Sequence, residues 1–92
     1  ISEITVAREI RNRVQQSRKK LGLQPIDKVK IYIEVEEGND VYNCIHSTKE
    51  EIVNSLGLKI NIGKPTEGQV IGQPLDYTVN DIPLKVIIVK DE

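Results

Sequence analysis

The sequence predicts an α+β fold in the order α-β-α-β-β-β: an N-terminal helix, then a mixed sheet of about four strands with the helices on one face. Two observations predict it. Apolar residues recur at helical spacing near the N-terminus, and they alternate strictly over residues 28–36. The chain has no Phe, Trp or Met, so Ile, Val and Leu must form the core, which suits a sheet backed by helices.

The first helix is predicted over residues 3–21. Ser2 is a favourable N-cap, because its hydroxyl can accept from a backbone N–H of the first turn. Gly22 then provides a left-handed end, and Pro25 prevents continuation. At about 100° per residue, one stripe of the helix is apolar. The stripe consists of Ala7, Ile10, Val14 and Leu21, with Ser17 among them.

The first strand is predicted over residues 28–36, where apolar and polar residues alternate without interruption. Val29, Ile31, Ile33 and Val35 are expected to face the core. The residues between them, including Tyr32, are expected to face solvent. A polar turn over residues 37–40 ends the strand.

A second helix is predicted over residues 40–56, with a break near Ser47. Ser47 is followed three residues later by Glu50, which fits a capping box. Gly57 ends this helix. A second strand is predicted up to Ile62, because apolar and polar residues alternate there. If this strand lies parallel beside the first strand, the connection between them is expected to be right-handed.

The last third of the chain predicts an irregular loop and a hairpin. Glycine and proline mark the loop over residues 63–74. The hairpin arms are predicted at about 75–79 and 82–90, joined at Asn80-Asp81, a pair that tolerates positive φ. Apolar residues on both faces of the last arm predict a central strand that is covered on both sides. Pro83 fits only an edge strand or the start of a strand.

The length of 92 residues predicts a single domain, with a basic helix over residues 1–23 and an α/β module over residues 24–92. Because the chain begins with Ile1 and contains no Met, we expect it to be a piece of a longer protein. A single cysteine excludes an internal disulfide and favours a cytoplasmic location. Neither a signal peptide nor a long apolar run is present, so no membrane partner is expected.

Catalytic and metal-binding residues are scarce. The single Cys44 and the single His46 are two residues apart, so on a helix they point to different sides. We expect a buried thiol and a helix-end imidazole, with a Cys/His nucleophile pair as the remote alternative. The acidic residues between Glu34 and Asp40 predict a solvated strand end, with a weak cation site as the alternative. No cofactor is predicted, and the glycine spacing fits no phosphate loop.

The distribution of charge is more informative than the net charge of −1. Six cations fall within the first 20 residues, and the acidic residues gather later. Cations neutralise phosphates, while Asn and Gln can hydrogen-bond to sugars or bases. The alternative is a solvated helix whose last-turn cations favour the negative end of the helix dipole. One broad face of the helix carries Arg8, Arg11, Asn12, Gln15, Arg18 and Lys19.

The segment from Val6 to Leu23 contains Ala-Arg-Glu-Ile, Asn-Arg-Val-Gln and Arg-Lys-Lys-Leu-Gly-Leu. It resembles the helix that opens the C-terminal extension of isoleucyl-tRNA synthetases of the eukaryotic and archaeal type. The resemblance is strong over residues 6–34 and holds by pattern afterwards. The HIGH and KMSKS signatures of the catalytic domain are absent, so the resemblance implies a piece that is not catalytic alone.

The resemblance also implies partners. In that family the C-terminal region follows an anticodon-binding helical bundle and contributes to tRNA binding near the anticodon stem-loop. The implied partners are therefore isoleucine tRNA and the preceding anticodon-binding domain. The implied RNA-binding residues are Arg8, Arg11, Asn12, Arg13, Gln15, Arg18, Lys19 and Lys20. Aromatic side chains on which bases could stack are scarce, and this argues against RNA binding. Tyr32 is the one candidate for such stacking. The alternative is a structural module that docks its apolar helix stripe on a neighbouring domain without contacting RNA.

Overall fold

The computed structural model describes residues 2–91, so Ile1 and Glu92 lie outside the described residues. The elements follow one another as predicted, and the α+β fold is confirmed. They are α1 (Glu3–Lys20), β1 (Val29–Val35), α2 (Asp40–Leu56), β2 (Lys59–Ile62), β3 (Leu75–Val79) and β4 (Ile82–Lys90).

The strands form one mixed sheet in the order β2-β1-β4-β3. β1 and β2 are parallel neighbours, and β4 is antiparallel to both β1 and β3. The last strand is therefore an inner strand, as predicted. The turn that precedes it has positive φ at Asn80 and Asp81, 50° and 63°. Pro83 lies at the second position of β4, close to the start of the strand.

Both ends of α1 are closed by the residues that predicted them. The Ser2 hydroxyl accepts from the backbone N–H of Thr5 at 3.4 Å. At the other end, the N–H groups of Gly22 and Leu23 donate to the carbonyls of Lys19 and Arg18 at 3.1 and 2.9 Å. This pair of bonds is a Schellman motif, which requires a left-handed residue that Gly22 supplies with φ of 70°.

One core joins both helices to one face of the sheet. Residues from α1 and α2 pack against Ile31 and Ile33 of β1 and against Val86 and Ile88 of β4. These strand residues alternate along their strands and pair with each other in register, so they share a face. The side chains that α1 contributes are Val6, Ala7, Ile10, Val14 and Ser17, all buried.

The predicted break in the second helix is wrong, because α2 is continuous from Asp40 to Leu56. Asn39 acts as the N-cap and accepts from the Tyr42 N–H at 2.8 Å. The Ser47 and Thr48 hydroxyls instead donate to carbonyls one turn earlier, at 3.0 and 2.7 Å. These bonds satisfy the hydroxyl groups within an unbroken helix. No second cap is needed.

The prediction of a solvent-facing side of β1 is wrong at Tyr32. Only 8% of Tyr32 is exposed, and it clusters with Ile87 and Val89 on the face opposite the helices. The chain between β2 and β3 covers this face. Lys64 contacts Glu34 at 3.8 Å, and Gly68 lies against the Val89 side chain. Val70 then pairs with Val89 through the backbone, beside β4 in the plane of the sheet. The predicted irregular loop thus supplies the second cover over β4.

Gly68 is where this cover meets the sheet most closely. A Cβ atom at Gly68 would lie 2.6 Å from Val89 Cγ1, and Val89 is fully buried and stiff at χ1. Gly38 offers a matched control, because both glycines have φ of +89° and a Cβ at Gly38 meets nothing within 4 Å.

We expect Gly68→Ala to lower the free energy of unfolding by about 1–3 kcal/mol more than Gly38→Ala, because the backbone strain is shared and only the overpacking differs. Urea denaturation followed by circular dichroism measures the difference. Equal losses for the two variants would show that the loop does not pack on Val89.

Candidate nucleic-acid interface

The polar face of α1 points away from the core and carries a concentrated positive charge. Six of the eight predicted RNA-binding residues fall within an arc of about 120° at the helical spacing of 100° per residue. Of these, Asn12, Gln15 and Lys19 are exposed, and Arg11 is partly so. We call this set the cationic face, and it consists of Arg8, Arg11, Asn12, Gln15, Arg18 and Lys19.

The cationic face lacks a neutralising carboxylate. Within residues 2–91, the side chains of Arg8, Arg11 and Lys19 form no salt bridge. Arg18 donates to the side-chain oxygen of Gln15 at 3.1 Å. Like charges one turn apart repel each other by a few tenths of a kcal/mol per pair. The face is therefore an uncompensated cationic array on a chain whose net charge is −1.

The rotation of this array is fixed by the buried stripe on the opposite side of the helix. Ile10 and Val14 have no exposed surface, and Ala7 is 2% exposed. Turning α1 about its axis would pull these side chains out of the core. The cationic groups are consequently held outward in one orientation.

Arg13 and Lys20 do not belong to this face, so the eight predicted residues divide between two surfaces. Arg13 forms a salt bridge with Glu9 at 3.0 Å. Its guanidinium and the Lys20 ammonium lie 5.8 and 5.2 Å from the centre of the Tyr77 ring. Both distances are within the range of cation–π attraction.

Tyr77 is a candidate functional residue that sequence reasoning missed. Its hydroxyl lies 2.8 Å from the hydroxyl of Ser17, which in turn donates to the Arg13 carbonyl at 2.7 Å. Ser17 is fully buried. A serine within an apolar stripe needs a polar partner, so the sequence indicated that some polar side chain packs against this part of α1. The sequence did not indicate which residue supplies the partner.

The predicted stacking role of Tyr32 is not available, because Tyr32 is buried and clusters with Ile87 and Val89. The partly exposed tyrosines are Tyr42 and Tyr77. Tyr42 packs edge-on against His46 with ring centres 4.6 Å apart. Tyr77 is therefore the aromatic side chain that accompanies cations of α1.

Cys44 is buried, as expected. Burial raises the pKa of its thiol, and the negative charges of Glu3 and Asp40 add to the increase. His46 is exposed in the middle of α2, so its predicted place at a helix end is wrong. Within residues 2–91, no three His, Cys, Asp or Glu side chains come together in a way that could hold a metal ion.

Comparison of the sequence with protein-family models and with curated proteins found no match. Neither α1 nor α2 contains an apolar stretch long enough to span a bilayer.

We expect the Cys44 thiol to react with a disulfide reagent at least about 100-fold more slowly in the native chain than in urea, because the reactive thiolate is disfavoured and buried. Its unfolded pKa is near 9.0 and its folded pKa is higher. The thiol therefore contributes stability that is fully present below pH 9 and is lost as the pH rises through the folded pKa.

The measurement is the free energy of unfolding between pH 8 and pH 10 for the wild-type chain and for Cys44→Ala. The free energy of unfolding should decrease less with pH in Cys44→Ala, because the variant lacks the thiol. Other groups that titrate in this range contribute equally to both chains. Identical slopes, or equal thiol reactivity in the native and unfolded chains, would contradict the assignment.

Proposed function

We propose that this chain is a tRNA-binding domain of an isoleucine–tRNA ligase and that it helps to position the anticodon stem-loop region of the tRNA. The observation that carries the proposal is the cationic face of α1, which has no carboxylate partner within residues 2–91. The resemblance over residues 6–34 supplies the identity of the RNA. On this proposal the domain works in the cytoplasm and the ligation reaction takes place elsewhere in the parent enzyme.

The composition of the face suits a ribose-phosphate backbone. Arg8, Arg11 and Arg18 each present several N–H donors in a planar fork that matches a phosphate. Asn12 and Gln15 lie among them and can both donate to and accept from sugars or base edges. From Arg8 to Lys19 the face is about 16 Å long at 1.5 Å per residue. Such an array can contact several successive phosphates.

The rigidity of the array also supports RNA binding. A stripe that is fully buried on one side of α1 limits the conformational entropy that is lost when the opposite side binds. Other surfaces of the domain carry exposed acidic residues such as Glu37, Glu50 and Glu51. Those surfaces would repel phosphates, which favours a single orientation of the RNA on the helix.

The second candidate is a domain that docks on another protein domain without contacting RNA. The apolar stripe that was expected to serve this purpose is buried in the chain's own core. The observation that now favours docking is the exposure of two large apolar side chains, Ile4 at 70% and Ile26 at 84%. On the tRNA proposal these residues contact the preceding anticodon-binding domain, so RNA binding is what distinguishes the two candidates.

The test compares two triple variants with the same net charge. The first is Arg8→Gln/Arg11→Gln/Lys19→Gln, which removes three cations from the face. The control is Lys59→Gln/Lys64→Gln/Lys85→Gln, which removes three cations that pair with Asp91, Glu34 and Asp76 elsewhere. Each variant changes the net charge from −1 to −1 − 3 = −4.

We expect the first variant to lose about tenfold or more in affinity for isoleucine tRNA, measured by fluorescence anisotropy, and the control to lose less than about threefold. The plot of log affinity against log salt for the wild-type chain should have a slope of about −3, since four cations release counterions. The first variant should flatten this slope by about 2. Equal losses in the two variants would reject α1 as the binding surface, and no measurable wild-type binding would favour the docking role.

A further inference from the structure

A second surface lies on the other flank of α1, where a groove of about 980 Å³ opens between the helix and the sheet. We call it the Tyr77 groove. The side chains of α1 form one wall, and the ends of β1 and β4 together with β3 form the other. Its principal lining residues are Arg13, Gln16, Lys20, Glu36, Tyr77 and Leu84.

The helix wall is cationic and holds the aromatic ring in place. Arg13, Ser17 and Lys20 follow one another at helical spacing, and all three contact Tyr77. The hydrogen bond to buried Ser17 fixes the hydroxyl end of the ring. The charged groups of Arg13 and Lys20 lie 5.8 and 5.2 Å from the ring centre. Of these cations, Lys20 is exposed and has no carboxylate partner within residues 2–91, so its ammonium can bind an anion.

The opposite wall is acidic. Asp76 and Glu34 are paired with lysines at 3.6 and 3.8 Å. The Glu36 carboxylate is exposed, and no side chain within residues 2–91 pairs with it. It can therefore accept from the amino group of a ligand, as carboxylates accept from the amino groups of bases. The groove thus offers cations on one side, an acceptor on the other and an aromatic ring between them.

We propose that the Tyr77 groove accepts one unpaired nucleotide of an RNA chain. The base stacks on Tyr77 and its amino group donates a hydrogen bond to the Glu36 carboxylate. The phosphate contacts Lys20 and Arg13, whose guanidinium also pairs with Glu9. This inference rests on the proposed function, in which α1 is the RNA-binding element, and it adds a contact that distinguishes single-stranded from paired RNA. Bases in a duplex are stacked on one another and cannot enter the groove.

A nucleotide fits the groove better than a protein side chain does. The apolar floor is already covered, since Leu84 is 3% exposed and Val35 is 9% exposed. The apolar lining residues that stay accessible are Pro83 and, in part, Tyr77. A flat base can cover them, while the amino donors and the anionic phosphate of a nucleotide match the groups of opposite charge around them.

The experiment uses two RNA probes of equal length, a hairpin with a seven-nucleotide unpaired loop and a blunt duplex, both at one salt concentration. Four chains are compared by anisotropy: wild type, Tyr77→Leu, Tyr77→Phe and Arg13→Gln/Lys20→Gln. Tyr77→Phe is the matched control, because it keeps the ring and loses only the bond to Ser17. Thermal denaturation establishes that each variant is folded.

We expect the wild-type chain to bind the hairpin about tenfold more tightly than the duplex, because stacking of a base contributes only for the hairpin. Tyr77→Leu should bring the hairpin affinity down to the duplex affinity, while Tyr77→Phe should keep most of the preference. Arg13→Gln/Lys20→Gln should reduce the preference as well, which keeps the test valid if Tyr77→Leu fails to fold.

The proposal is overturned if the wild-type chain binds both probes equally, or if folded Tyr77→Leu still prefers the hairpin. Either result would favour a protein segment as the ligand of the groove. Failure of the proposed function gives a different result. In that case Arg8→Gln/Arg11→Gln/Lys19→Gln would bind both probes as tightly as the wild-type chain does. This result does not depend on whether the hairpin is preferred over the duplex.

Discussion

The packing of one stripe of α1 against the sheet determines which surfaces this domain presents. Ile10 and Val14 have no exposed surface, and Ser17 beside them is fully buried as well. Burial of side chains of this size contributes about 1.5–3 kcal/mol each, so the helix cannot rotate at low cost. The position of every charged residue on α1 follows from that orientation. The cationic face is directed outward, and the flank with Arg13 and Lys20 is directed towards β3.

A second constraint is that β4 is covered on both sides. Its helix-facing residues join the main core, while Ile87 and Val89 pack under the loop between β2 and β3. An inner strand with apolar residues on both faces needs two covers in a domain with only two helices on one side. The chain after β2 provides the second cover, and Gly68 allows its backbone to approach Val89 closely. Tyr32 is buried on the same face beside Ile87 and Val89, and this removes it from the possible RNA contacts.

Most of the fold was predictable because its signals are local. Helical periodicity, the alternation in β1 and the positive-φ pair at Asn80-Asp81 each depend on a few adjacent residues. The break at Ser47 was predicted wrongly because the capping-box pattern of Ser47 and Glu50 was taken as a helix start, whereas Asn39 caps the whole of α2 at its start. The burial of Tyr32 was not predictable from β1 alone, since its partners Ile87 and Val89 lie more than 50 residues later in the sequence.

The candidate site was predictable in part for the same reason. Helical spacing placed Arg8, Arg11 and Lys19 together on one face without reference to the rest of the chain. Helical spacing also left Arg13 and Lys20 off that face, but it did not show what they contact, because their environment is set by Tyr77, whose partner Ser17 is 60 positions away in sequence. Long-range contacts of this kind depend on how the strands pair, and strand order leaves no local pattern in the sequence.

The most direct measurement is nuclear magnetic resonance of the isotopically labelled chain during titration with isoleucine tRNA. If α1 is the RNA-binding element, the largest changes in backbone and side-chain signals will occur from Arg8 to Lys20 and at Tyr77. The signals of α2 and β2 will change little. Changes centred on the segment from Glu37 to Asp40, or an α1 whose signals stay constant through saturation, would contradict this account.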